Sequence, residues 1–117
     1  MKKAKARPEW ARIPRADALV MPPAAVEAIA RRRRQMLVHS CLYYVLDSPL
    51  VSDDQWQHWA NQLVRLQRKF GREIGFYDEA FQDWNASSGY YLPMDPHVVR
   101  VARRLLDQRD GDGRQND

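Results

Sequence analysis

Aromatic and acidic residues near the middle of the chain are its clearest candidates for chemistry. Tyr43 and Tyr44 precede Trp56 by about a dozen positions, and Asp53 lies between them. Aromatic faces stack on flat rings and attract cations, and a nearby carboxylate adds a charged contact. If the chain folds back between these residues, they form a pocket for a flat, partly cationic ring. The alternative is that the aromatic side chains only fill the core of a helix junction.

A run of four arginines, Arg31 to Arg34, is the second candidate. The run consists of Arg31, Arg32, Arg33 and Arg34. Arginines at these positions could contact the phosphates of a nucleic acid. On a helix, however, four consecutive residues spread over roughly 300° and cannot share one face. The alternative is therefore a solvated helix whose arginines pair with acids such as Asp78, Glu79 or Asp83.

The signatures of catalysis and metal binding are missing from the sequence. The three histidines have no ligand-like spacing, and one cysteine, Cys41, rules out a multi-cysteine zinc site. No phosphate-cradling glycine loop and no G-x-S-x-G frame occurs. The sequence therefore predicts no catalytic residue and no metal site, and it favours a protein that is not an enzyme.

The net charge of +4 is carried by one end of the chain. Residues 1–22 hold six basic and two acidic residues, whereas residues 23–108 are nearly balanced. Prolines punctuate the first segment, and residues 109–117 are polar and contain glycine. We therefore divide the chain into a basic flexible arm (1–22), a helical domain (23–108) and a polar tail (109–117).

Hydrophobic periodicity within the domain predicts four helices and no strand of useful length. The first spans about 24–46 and ends before Pro49. The second begins at a capping box, Ser52 to Gln55, and closes at Gly71 in the left-handed conformation. Shorter helices are expected over 77–84 and after the N-cap Asp95. The prediction is an all-α fold, an antiparallel helical hairpin extended by two shorter helices, with flexible N- and C-terminal tails.

The segment His39–Trp56, with the sequence HSCLYYVLDSPLVSDDQW, resembles the N-terminal Ia domain of bacterial NAD-dependent DNA ligases. The resemblance covers both helices of the hairpin, about residues 30–70. A wider likeness, over most of residues 30–107, is to small stand-alone ligase-related proteins of phages and prophages. It includes the aromatic segment after Phe76, the stretch from Ser87 to Pro93 and the last helix.

In the ligase family the Ia domain holds the nicotinamide mononucleotide half of NAD, so the resemblance implies a nicotinamide-like pocket. Tyr43, Tyr44 and Asp53 match ligand-contacting positions. Trp56 stands where the family has Tyr, and Gln57 where it has Asp. The K-x-D-G motif of the nucleotidyltransferase domain is missing, so the chain cannot ligate DNA by itself.

Three functions follow as expectations. The leading one is a non-catalytic accessory binding module of a phage or prophage, which engages a host or phage protein of replication, repair or defence. The first alternative is a lid domain that binds nicotinamide mononucleotide or NAD and acts with a separate protein. The second is nucleic-acid contact through the basic arm. No cofactor is required in the leading case, no membrane segment is found, and the expected location is the cytoplasm of a bacterial cell.

Overall fold

The computed structural model describes residues 21–115 of the chain. In this range four helices form and no strand is present: α1 (Pro23–Tyr44), α2 (Asp53–Phe70), α3 (Asp78–Phe81) and α4 (Pro96–Gln115). The all-α prediction is therefore confirmed. None of the described helices is both long and apolar enough to cross a membrane. The basic arm lies outside the described residues except for its last two positions.

The ends of α1 and α2 set the turn of the hairpin. α1 stops at Tyr44, two residues before the predicted end, because the backbone N–H groups of Val45 and Leu46 both bond to the carbonyl of Cys41. Asp47 then adopts the left-handed conformation, with φ at 49°. α2 begins as predicted, since the Ser52 hydroxyl accepts a 3.0 Å hydrogen bond from the backbone N–H of Gln55.

Two details of the predicted boundaries are wrong. Gly71 follows α2 with φ 118° and ψ 172°, a positive φ that favours glycine but not the left-handed helical conformation. The third helix is only one turn long and excludes Trp84, whose indole N–H donates instead to the carbonyl of Ser88 at 2.8 Å.

The last helix is longer than predicted. It starts at its expected cap, where the Asp95 carboxylate accepts from the backbone N–H of Val98 at 2.9 Å. It then continues to Gln115, so the boundary at residue 108 falls inside it. A glycine inside a helix costs about 1 kcal/mol relative to alanine. A helix that has already formed can continue past it, because adding a residue requires no new nucleation step.

α1 is the central element and packs against both α2 and α4. Its buried apolar face meets the stripe of α2 predicted from the sequence, in which Ala60 and Leu63 are fully buried. The fully buried apolar core also includes Ile29, Met36, Cys41, Leu42, Phe81 and Ala102. The hairpin is therefore the framework. α4 also packs on α1, and α3 contacts the Arg33 side chain of α1 through Asp78 and Phe81.

Among the described residues, one charged side chain is buried in this core. The Arg33 side chain is completely buried, and its guanidinium donates to the carbonyls of Phe76 (2.7 Å) and Arg72 (2.6 Å). It also donates to Gln67 Oε1 at 2.8 Å and forms a 2.7 Å ion pair with Asp78. Asp78 is one of the three acids proposed above as partners of the arginine run. Arg33 thus fastens the segment after α2 to α1, and it is not available to a phosphate.

Candidate functional site

The hairpin turn brings the predicted ring-binding residues to one cleft of about 230 Å³. All five of them line it: Tyr43, Tyr44, Asp53, Trp56 and Gln57. Tyr43 and Tyr44 come from the last turn of α1, and the other three come from the first turns of α2. The expectation that a short connection places these side chains at one end of the hairpin is met.

The aromatic wall of the cleft is fixed on the side of α2. Trp56 is half-buried, and its indole N–H donates to the Ser40 hydroxyl of α1 at 3.2 Å. His39, which also lines the cleft, packs against Trp59 with ring centroids 5.3 Å apart. Because Trp56 is held by both packing and a hydrogen bond, it offers a rigid surface for stacking.

The second wall comes from a loop that the sequence left without a role. Ser87 and Ser88 line the cleft, and the Gln57 side-chain amide donates to the carbonyl of Ala86 at 3.0 Å. Gly89 is buried against Ser40, and a Cβ at this position would lie 2.0 Å from the Ser40 hydroxyl oxygen. A glycine is therefore needed for the loop to approach α1 closely enough to close the cleft.

Four tyrosines form an exposed cluster beside the cleft, which we call the tyrosine patch: Tyr43, Tyr44, Tyr90 and Tyr91. Each ring contacts the next one edge to face. The centroid distances are 4.8 Å for Tyr43 and Tyr44, 5.3 Å for Tyr44 and Tyr90, and 5.0 Å for Tyr90 and Tyr91. The Tyr44 and Ser88 hydroxyls lie 3.3 Å apart, within hydrogen-bonding distance. The sequence analysis identified Tyr43 and Tyr44 as candidate site residues but assigned no role to Tyr90 and Tyr91. The signal was available as the pair of adjacent tyrosines in a serine- and glycine-rich loop.

The exposure of these side chains decides between the two interpretations of the aromatic residues, a ring-binding pocket or the core of a helix junction. Tyr43 and Tyr44 are 49% and 43% exposed, so they do not serve as core. Trp56 and Trp59 are half-buried and pack against the core, as the alternative reading required. The cleft therefore combines a fixed indole with exposed phenol rings, and the exposed Asp53 carboxylate supplies negative charge at its edge.

Two titratable side chains at or near the cleft, Cys41 and His39, have shifted pKa values. Burial raises the pKa of the Cys41 thiol, with a nearby Arg103 opposing the shift, so the reactive thiolate is disfavoured. Burial lowers the pKa of His39, which therefore stays neutral near pH 7. Among the described residues there is no group of three side chains able to hold a metal ion. The cleft can stack on a flat group and attract a cation.

The structure disperses the four arginines of the run. Arg33 is buried, and the Arg34 guanidinium lies over the Phe76 ring at 5.3 Å from its centroid. Arg31 and Arg32 face a different groove, between α1 and α2. A single phosphate-binding face made by all four residues does not form. Contact through the basic arm concerns residues outside the described range.

Comparison with known proteins gives one informative match. A stretch of 72 residues is 31% identical to the ribosomal RNA small subunit methyltransferase Nep1 of the archaeon Archaeoglobus fulgidus. The match covers 56% of this chain and 33% of the relative, so the chain spans about a third of the length of the protein it matches. No protein-family model matches the chain. No solved structure matches it either.

The resemblance to the ligase Ia domain, and to small ligase-related phage proteins, is therefore wrong. The significant similarity is to an RNA methyltransferase, and no family model of any kind supports a ligase domain. The resemblance misled because it was based on residues that form the hairpin. A left-handed residue at Asp47, a serine cap at Ser52 and an apolar stripe in α2 are what a tight helical hairpin requires. Because these requirements are local, residues that meet them do not identify a family.

Proposed function

We propose that this domain is a non-catalytic binding module that engages another protein through the tyrosine patch and the adjoining cleft. The observation that carries the proposal is the distribution of exposed large apolar side chains. In the described part of the chain all of them, the four tyrosines and Val45, lie at or beside this one end of the hairpin. Contiguous exposed apolar surface of this kind is typical of interaction sites.

The residue type supports a protein partner. Tyrosine is enriched at protein interfaces because it buries a large ring and keeps a polar hydroxyl. The edge-to-face contacts between neighbouring rings already restrict their rotation, so less conformational entropy is lost on binding. The tyrosine patch is therefore preorganised for binding.

The cleft defines what the partner would insert. Its volume of about 230 Å³ is smaller than the roughly 300–1,000 Å³ of pockets that enclose drug-sized ligands. It suits a single side chain, and the aromatic wall together with Asp53 favours an arginine, a lysine or an aromatic residue. The host or phage identity predicted for that partner stays a prediction.

A quantitative pull-down from bacterial lysate tests the proposal with the double variant Tyr44→Ala/Tyr90→Ala. A partner retained by the wild-type domain should be lost by this variant, because two adjoining rings of the patch are removed. The matched control Tyr44→Phe/Tyr90→Phe keeps both rings and should retain most of the binding. Equal recovery by wild type and alanine variant would contradict the proposal.

The second candidate is the nicotinamide ligand, which one observation favours. Tyr43, Tyr44, Asp53 and Trp56 line a cleft whose size suits one flat ring, leaving the remainder of a mononucleotide outside. Gln57 supplies no charge, and its amide N–H is directed to Ala86. An NAD-binding lid would act with a separate protein that provides the reacting groups.

Calorimetric titration with nicotinamide mononucleotide and with NAD tests this candidate directly. Binding should be accompanied by quenching of tryptophan fluorescence, since Trp56 would stack on the ring, and Tyr43→Ala should weaken it. If neither heat nor quenching is seen at millimolar ligand, any binding is weaker than about −4 kcal/mol and this candidate is wrong. That result leaves the protein-binding proposal intact.

A further inference from the structure

A second groove of about 280 Å³ lies between α1 and α2 and is lined by positive charge. We call it the basic groove and define it by four cations: Arg31, Arg32, Arg65 and Lys69. The first two lie on α1, and the other two lie on α2, one helical turn apart. The remaining lining residues are Ala28, Leu66 and Gln62. None of the described side chains that line it is acidic.

One of the four cations is positioned by neutral partners. The Arg32 guanidinium donates to Gln62 Oε1 at 2.9 Å and to Gln35 Oε1 at 2.7 Å. These bonds fix its plane without neutralising it and leave further N–H donors free. Burial first, and the like charge of Arg31 second, lower the pKa of Arg32. An anion in the groove would relieve that repulsion.

Among the described residues, the other three cations form one ion pair and one cation–π contact, in which the Lys69 ammonium lies 5.2 Å from the centroid of the Phe70 ring. Arg31 has only a loose 3.9 Å contact with Glu27, and both side chains are more than half exposed. Arg65 and Lys69 are exposed. The groove therefore presents four positive charges on two facing walls, and a single exposed carboxylate at its margin offsets little of that charge.

The basic groove is separate from the cleft. Arg31 and Tyr43 lie twelve residues apart on the same helix, a distance of about 18 Å along its axis. Three of the four acids between residues 23 and 70 lie at the cleft end, Asp47, Asp53 and Asp54, and the fourth is Glu27. A ligand in the groove would leave the cleft untouched, so the two sites can be tested independently.

We infer that the basic groove binds the phosphodiester backbone of a nucleic acid strand. Guanidinium groups match phosphate oxygens in a planar fork, and three of the four cations are arginines. A polyanion with one charge on every nucleotide can engage both walls at once. A flat membrane surface cannot enter a groove between two helices. Because none of the described side chains that line the groove is aromatic, we expect no base stacking on them and no dependence of binding on sequence.

Fluorescence anisotropy of the full chain with a labelled single-stranded oligonucleotide tests this inference. The groove variant is Arg65→Ala/Lys69→Ala, and the matched control is Arg103→Ala/Arg104→Ala. The control removes two exposed positive charges from α4, so both variants share the same net charge and the same N-terminal arm. Circular dichroism checks that each variant is folded.

Affinity of the wild-type chain should fall as salt rises from 50 to 200 mM, as charge-driven binding requires. The groove variant should bind at least about tenfold more weakly, and the slope of log affinity against log salt should become shallower by about 1.4, roughly 0.7 for each of the two lost contacts with a single strand. The control should keep the wild-type slope. Identical binding by both variants would overturn the inference, as would stronger competition by poly-glutamate than by unlabelled oligonucleotide of equal charge.

Discussion

Replacing Arg33 with methionine would remove a fully buried charge that joins α1 to the segment between α2 and α3. Methionine retains an unbranched apolar chain but none of the guanidinium donors, so the change isolates the polar contacts better than alanine would. Four acceptors would lose their donor: Gln67 Oε1, the carbonyls of Phe76 and Arg72, and the Asp78 carboxylate.

The expected loss can be bounded from the structure. Breaking a buried ion pair by removing one partner costs about 3–5 kcal/mol, because the remaining charge is left without compensation. The Asp78 side chain is 34% exposed and also accepts from the backbone N–H groups of Ile74 and Gly75. Water and those two bonds recover part of the loss, so we expect about 3 kcal/mol. That is a large share of the roughly 5–15 kcal/mol by which small domains are stable.

Urea unfolding followed by circular dichroism measures this loss as a change in the free energy of unfolding. Arg34→Met is the matched control, because it makes the same change one residue further on at an exposed position over the Phe76 ring. The control should lose less than about 1 kcal/mol. If the Arg33 and Arg34 variants unfold at the same urea concentration, the assignment of Arg33 as the polar centre of the core is refuted.

Three further predictions concern the fold and the cleft. Gly89→Ala should destabilise the domain and lower partner binding, since its Cβ would lie 2.0 Å from the Ser40 hydroxyl oxygen; an unchanged melting temperature would contradict the close approach. Leu63→Asp should unfold the domain, because it buries an unpaired charge in the core, and retention of the helical spectrum would show that the α2 stripe is wrongly assigned. Burial alone would raise the pKa of Asp78, but the N–H groups of Ile74 and Gly75 and the Arg33 guanidinium lower it to about 2. Its carboxylate therefore stabilises the fold above its ordinary pKa of 3.8, and that contribution should be lost as pH falls from 3.8 towards 2. The free energy of unfolding of the Asp78→Asn variant should lack this part of its dependence on pH. If urea unfolding at several pH values gives both proteins the same change in free energy of unfolding with pH, this prediction is wrong.

Local features of the fold could be predicted from the sequence because they depend on residues close together in the chain. The caps at Ser52 and Asp95 involve an amide three positions away, and the apolar stripe of α2 repeats within single turns. The cleft followed from the same logic, since a short connection must return α2 beside α1. The residues that α1 and α2 contribute to the cleft were predictable once the turn was placed.

Features that depend on distant pairings could not be read from the sequence. The burial of Arg33 rests on partners between 34 and 45 positions away, and no periodicity distinguishes it from the other arginines of the run. The second wall of the cleft needs Gly89 to meet Ser40, which only the packed structure reveals. The ligase resemblance failed for a related reason, because the hairpin residues that carried it serve a local geometry that many chains share.

The two proposed surfaces differ in the physical origin of their binding, and salt separates them. The cleft and the tyrosine patch act mainly by burying aromatic surface, and this contribution is not screened by ions. The basic groove acts through charge, which weakens as the Debye length shortens from about 10 Å at 0.1 M to about 3 Å at 1 M. Raising the salt concentration should therefore release a nucleic acid from the groove while a partner stays on the patch. If instead one ligand responds to variants of both surfaces and dissociates in a single salt-dependent step, the groove and the patch are parts of one continuous interface.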